Sequence, residues 1–160
     1  MTDSNEPTGS KHTAWLGVAV GIAGSGGGNQ VASHCWRTII IIKHEGRRFV
    51  PKVDFVTSPG FLTGPGAREK AGLPKDTGPY RVVTSKALFG FDERTREMTL
   101  LSTLRGLSPE DVIKDMAFRP RVAANLAEID PPSEDELRLL REEIDPSRIV
   151  IRGERMSATV

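Results

Sequence analysis

Residues 24–42 read Gly24-Ser25-Gly26-Gly27-Gly28-Asn29-Gln30-Val31-Ala32-Ser33-His34-Cys35-Trp36-Arg37-Thr38-Ile39-Ile40-Ile41-Ile42. Four glycines in the first five positions ask for a backbone that enters conformations closed to other residues, or one that something approaches closely. Before them, Trp15 to Ala23 is an apolar run with Val18 and Val20 and reads as a buried strand. After them, Asn29 is suited to cap a short helix from about Gln30 to Trp36. Four consecutive β-branched isoleucines then predict a strand buried on both faces, as in a parallel sheet. A glycine loop between a strand and a helix N-terminus presents unpaired N–H groups to an anion or to a developing negative charge. A tight turn without any ligand is the alternative, although such a turn needs one glycine rather than four.

Working outward, residues 1–13 are polar, carry Pro7 and Gly9 and show no periodicity, which predicts a disordered lead-in. Downstream, Val53 to Val56 reads as a short strand. Ser58 to Pro79 holds Pro59-Gly60, Gly64-Pro65-Gly66, Gly72, Pro74 and Gly78-Pro79, so it is expected to be a long loop with one turn near Ala67 to Ala71. Loops of this length in compact domains usually serve function or lie against a partner. Tyr80 to Thr84, Ala87 to Phe91 and Glu97 to Thr103 read as strands, the last two joined by the polar turn at Asp92 to Arg96 into an antiparallel hairpin.

Two helix starts are spelled out. Ser108-Pro109-Glu110-Asp111 supplies an N-cap, a proline at the first helical position and acids in the first turn, with Val112, Ile113 and Met116 as the buried stripe. Ser133 and Glu136 form a capping box after Pro131-Pro132, opening a helix with Leu137, Leu140 and Ile144 on one face. The expected organisation is one domain over residues 14–146, with a flexible tail at 147–160.

Bulk composition narrows the function classes. The 160 residues carry 22 basic and 21 acidic side chains, a formal net charge of +1, which argues against a broad nucleic-acid footprint. The apolar runs are too short to span a bilayer, so no membrane association is expected. Lys11 and His12 before Ala14 to Ala23 imitate a secretory leader only faintly, because Asp3 and Glu6 acidify its start. Cys35 is the only cysteine, which excludes an intrachain disulfide and favours a cytoplasmic setting.

Several familiar chemistries fail on spacing. A dinucleotide fingerprint beginning at Gly24 needs glycine where Asn29 stands, and a phosphate loop needs a lysine that does not follow. His34 and Cys35 are adjacent and unsuited to joint metal ligation from one helix face, while His44 has only Glu45 beside it, so no metal is expected. Cys35 reads as a small buried residue, and His34 as a surface or interface residue. Lys43, Arg47, Arg48 and Lys52 read as a solvated exit from the isoleucine strand.

The run from Gly24 to Ser33 resembles the G-S-G-G-x-N-D-x-A-S segment of class I coenzyme A transferases, in particular the B-type subunits of the glutaconate CoA-transferase branch. Arg37 to Ile41, His44-Glu45, Arg47 to Val50, Val53 to Gly60, Arg68 to Leu73, Gly90-Phe91-Asp92 and Pro131 to Leu137 continue the pattern, in order, from about residue 16 to 145. The resemblance implies an α/β fold with an open, mainly parallel sheet and flanking helices, of the CoA-transferase (NagB/RpiA-like) type and truncated at its N-terminus. It implies transfer of CoA between an acyl-CoA thioester and a free carboxylic acid, together with an A-type subunit in a hetero-oligomer. It also implies that Gly24, Gly26, Gly27, Gly28 and Asn29 face coenzyme A, where backbone N–H groups suit a tetrahedral oxyanion. Gln30 stands where the family has Asp. The family's nucleophilic glutamate lies well upstream of the glycine segment, and no catalytic residue is carried over. A non-catalytic assembly domain and a CoA-thioester hydrolase on the same scaffold are the alternatives.

Overall fold

The computed structural model describes residues 26–53 and 55–149. The expected lead-in, the run Trp15 to Ala23, Gly24 and residues 150–160 of the tail lie outside them. The chain divides into two units, Met1–Ile129 and Asp130–Val160.

In the first unit, helix α1 (Gly26–His34) leads directly into strand β1 (Arg37–Ile42). A short 3₁₀ turn (Gly46–Arg48) and the one-turn helix α2 (Ala67–Lys70) follow. Then come β2 (Gly78–Thr84), β3 (Ala87–Phe91), β4 (Met98–Leu104), helix α3 (Pro109–Ile113) and β5 (Arg121–Ile129). Among the described residues the sheet runs in the order β1-β2-β3-β4-β5. The outer pairs β1–β2 and β4–β5 are parallel, whereas β2–β3 and β3–β4 are antiparallel. The sheet is thus open and α/β as expected, with mixed pairing. The cause is local: two tight connections fold β2, β3 and β4 into a meander, and only helix-bearing or long crossovers give parallel neighbours.

The core lies on one face of this sheet. Register places Ile40 beside Val82, Val82 beside Phe89 and Phe89 beside Leu100, so one buried row crosses four strands. Phe49, Val112 and Met116 close over that row, and the Ala117 N–H donates to the Phe49 carbonyl at 2.9 Å. Each such side chain removed from water contributes roughly 1.5–3 kcal/mol.

The opposite face differs. Its corresponding row runs Ile41, Val83, Leu88, Ser102, and at β1 it opens to solvent, with Ile39 58% and Ile41 80% exposed. This corrects the expectation of an isoleucine strand buried on both faces. The run of identical residues conceals an alternation that appears only once the strand is seen covered on one side, at Ile40. β1 is tied to β2 at its start by stacked cations: the Arg37 guanidinium lies 4.6 Å from the Trp36 ring and 4.3 Å from Tyr80, and Arg81 lies 3.9 Å from Tyr80.

Other boundaries moved for identifiable reasons. Residues 53, 55 and 56 are not in a strand, and β5 forms where the sequence shows no two-residue alternation. α3 has the expected cap: Ser108 Oγ accepts from the Asp111 N–H at 3.2 Å, and the Asp111 carboxylate accepts from the Ser108 N–H. That carboxylate, which also holds Lys114 and the Ser108 hydroxyl, has its pKa pushed far below the ordinary carboxylate range, with the Lys114 bond as the largest cause.

In the second unit, Ser133 and Glu136 close the predicted capping box at the start of α4 (Glu134–Arg138). The helix then widens into a π turn over Leu139–Ile144, in which the Asp145 N–H reaches back five residues to the Leu140 carbonyl at 2.8 Å. Ile144, expected on one face with Leu137 and Leu140, is exposed. Among the described residues no helix is long and apolar enough to cross a membrane.

Candidate functional site

The described part of helix α1 already includes Gly26, four residues before the expected start, so three of the four glycines are helical instead of forming a loop before the helix. Asn29 sits within this helix, not ahead of it. Its side chain is not turned back onto the helix as a cap. Its amide nitrogen donates to the Thr57 carbonyl, 28 residues away, and its Oδ1 accepts from the Ser33 hydroxyl at 3.1 Å. Both ends of the Asn29 amide are therefore engaged within the protein.

Glycine in a helix costs about 1 kcal/mol relative to alanine. Three in succession therefore need a reason. Packing inside the described chain gives none: a Cβ on Gly26, Gly27 or Gly28 would meet nothing within 4 Å. The first-turn N–H groups of a helix have no partners along the chain, and the macrodipole makes that end positive. No acidic side chain sits in the first turn to neutralise it. Among the described residues the arrangement is an open, positively polarised backbone surface, able to take an electronegative group at close range.

At the other end, α1 is held by Arg68, which is only 3% exposed. Its Nη2 donates to the Ser33 carbonyl and to Thr77 Oγ1, both at 2.8 Å, and its Nη1 to the Gly60 carbonyl at 2.7 Å. The Ser33 carbonyl belongs to the negative end of the helix, where a cation is favoured. Burial lowers the pKa of Arg68 from its ordinary value, with Glu69 opposing the shift. The guanidinium nonetheless stays charged.

Gly78 has φ +129°, and a Cβ there would stand 3.1 Å from the Phe61 ring and 3.3 Å from Arg68 Nε. Glycine is required at that position twice over. Asn29 and Arg68 therefore fasten the two ends of the Thr57–Gly60 loop to α1.

A second buried polar group sits where β1 ends. The Nε2 of His44 donates to the Val112 carbonyl at 2.9 Å, and its Nδ1 lies 3.2 Å from Thr84 Oγ1. The imidazole packs against Phe49 and Phe89. Burial lowers its pKa most, partly countered by the Val112 bond; Lys86 lowers it further and Asp115 raises it. It joins β1, β2 and α3 as a neutral latch.

The predicted site residues thus fall into two sets. Gly26, Gly27, Gly28 and Asn29 lie together on the first turn of α1, while Gly24 is outside the described residues. Thr57, Arg68 and His44 carry no local signal that marks them for a role. Arg68 sits in an ordinary-looking Arg-Glu-Lys run, and its partners lie 8, 9 and 35 residues away, so no local pattern announces it. Cys35 is exposed, not buried, because it follows the end of α1 where the chain turns into β1. Glu45 pairs with Arg47 at 2.8 Å and Arg48 at 3.1 Å, which accounts for the basic exit from β1. Among the described residues no group of three or more His, Cys, Asp or Glu side chains could hold a metal ion.

These features can be set beside known proteins. The coenzyme A transferase family model matches residues 7–115. The B subunit of glutaconate CoA-transferase from Acidaminococcus fermentans is 46% identical over 129 residues, covering 81% of this chain and 48% of the relative. The B subunit of 3-oxoadipate CoA-transferase from Pseudomonas knackmussii is 32% identical over 122 residues, covering 76% and 46%. The chain therefore spans about half the length of the curated relatives it matches. The solved structure of glutaconate coenzyme A-transferase from A. fermentans superimposes with a TM-score of 0.76 at 40% identity, over 92% of this chain and 57% of that one. The stretch matched by the family model carries the glycine turn, the clamped loop and strands β1 to β4, and on these matches the chain belongs to the coenzyme A transferase family.

Proposed function

We propose that this chain acts as a B-type subunit of a two-subunit coenzyme A transferase, helping to move CoA between an acyl-CoA thioester and a free carboxylic acid. The observation that carries the reading is the glycine turn of α1: three glycines that have, among the described residues, open space beside each and no packing reason to be glycine. Similarity to two relatives named as B subunits supports an A-type partner.

In the exchange, a carboxylate oxygen attacks the thioester carbonyl, its oxygen takes the negative charge, and the C–S bond breaks to release CoA as the thiolate. Amides fixed in place before the reaction stabilise that oxyanion without reorganising. The glycine turn supplies such amides, and the absent Cβ atoms let the thioester approach the backbone. No residue of this chain is assigned as the attacking carboxylate. A cytoplasmic setting fits an acyl-CoA substrate and the exposed, unpaired Cys35.

Calorimetric titration with acetyl-CoA, alone and with a co-expressed A-type subunit, tests the proposal. Binding that disappears in Gly27→Val supports it. Unchanged binding in that variant removes the turn from the site, and capture of an A-type partner without any CoA binding supports a non-catalytic assembly domain instead.

A further inference from the structure

We propose that Arg68 and Asn29 are positioning residues that set the glycine turn of α1 against the Thr57–Gly60 loop, an inference that rests on the acyl-CoA reading above. Neither side chain needs to touch substrate to do this. Asn29 ties the loop at Thr57 to the first half of the helix, and Arg68 ties it at Gly60 to the last half. A segment fixed at both ends to one helix moves only with that helix.

Arg68 is an unusual choice for a merely structural tie. It is a nearly buried cation whose three bonds go to two carbonyls and one hydroxyl, and among the described residues its Nε has no hydrogen-bond partner. No carboxylate is hydrogen-bonded to it among the described residues, and Glu69 acts on it only through its charge. A buried charge is tolerated only where its hydrogen bonds are well placed, and the planar fork of a guanidinium can meet three oxygens at once where a lysine cannot. The neighbours are built around it: Thr77 Oγ1 is held by its own bond to the Pro74 carbonyl at 2.6 Å, and Gly78 lacks the Cβ that would crowd Nε. The consequence is a fixed distance between the open amides and the wall formed by the loop. Oxyanion stabilisation depends steeply on such placement.

The test follows the carbonyl stretch of acetyl-CoA labelled with ¹³C at the thioester carbon, read as an isotope-edited infrared difference spectrum on the full chain with its A-type partner. Wild type should show a shift to lower frequency, the sign of a carbonyl polarised by N–H groups. Arg68→Lys and Asn29→Asp should lose that shift and bind acetyl-CoA about tenfold more weakly. Amide hydrogen exchange should rise at residues 26–34 and 57–60 while β3 and β4 stay protected. Thr77→Val should weaken the shift and Thr77→Ser restore it, a pair that remains informative if the arginine variant does not fold.

A native frequency shift in Arg68→Lys, Asn29→Asp and Thr77→Val overturns the positioning role. Loss of protection across β3 and β4 does the same, by making Arg68 a general stability residue. Failure of the wild type to bind acetyl-CoA overturns the acyl-CoA reading itself, and the exchange pattern then still shows whether the clamp holds the loop.

Discussion

The two halves of the first unit are built on different terms. Across β2, β3 and β4, Val82, Phe89, Met98 and Leu100 are sealed by Phe49 and Val112, and His44 and Thr84 spend their polar atoms inside the protein. At α1 and β1 the same sheet presents Ile39 and Ile41 to solvent, with Val31, Trp36, Phe55 and Val56 also exposed nearby in sequence. One half is finished as a fold, and the other is held in position but left uncovered. Apolar surface of this kind marks an interaction site, or an aggregation hazard when the partner is missing. The difference shows where stability is made and where apolar surface is left exposed.

The most severe break of this comparison is in the finished half. Phe89→Ala empties a site in contact with Phe49 and His44, and we expect a loss of about 3–5 kcal/mol in urea unfolding. A loss below about 1 kcal/mol would mean that the core row is not the seat of stability. Removing the Ser108 cap in Ser108→Ala should cost about 1 kcal/mol by the same measurement.

The glycine turn gives an effect of opposite sign. Because a Cβ at Gly27 meets nothing within 4 Å among the described residues, Gly27→Ala should raise stability by about 0.5–1 kcal/mol while weakening acetyl-CoA binding. An alanine that stabilises and leaves binding intact would show that the open space has no use.

Acid should act through the latch. His44 has a lowered pKa in the folded protein, so below its unfolded value of about 6.5 the unfolded chain binds more protons than the folded one. The contribution of His44 is complete above that pH and is lost as pH falls below it. Unfolding curves between about pH 7.5 and pH 5 should show the decline, and His44→Gln should flatten it. Least of all, Ile41→Lys should change stability by less than about 0.5 kcal/mol; its signature should be reduced self-association in light scattering.

How far the sequence anticipates this follows the range of the interactions. The caps at Ser108 and Ser133 close over three residues, and both are legible. The meander strands are legible because turn residues bracket them. The isoleucine strand is legible as a strand, but its exposed face is not, since four identical residues carry no alternation. β5 offers no period to read, and Asn29, expected as a cap, bonds instead to a carbonyl 28 positions away. The same limit hides Arg68 and His44, whose most distant partners are 35 and 68 residues off. The glycine turn is conspicuous for the opposite reason: a local cost without a local benefit can be seen in the chain itself.

Cys35 gives these experiments a natural handle. It is the chain's only thiol, it is exposed, and its N–H still reaches the Val31 carbonyl at 2.9 Å. A maleimide dye placed there needs no engineered cysteine and no removal of competing ones. It would ride at the end of α1, beside Trp36, and report in real time any displacement of the helix as an acyl-CoA or a partner protein arrives. The residue that sequence patterning assigns to the interior thus supplies an observation post on the open side of the molecule.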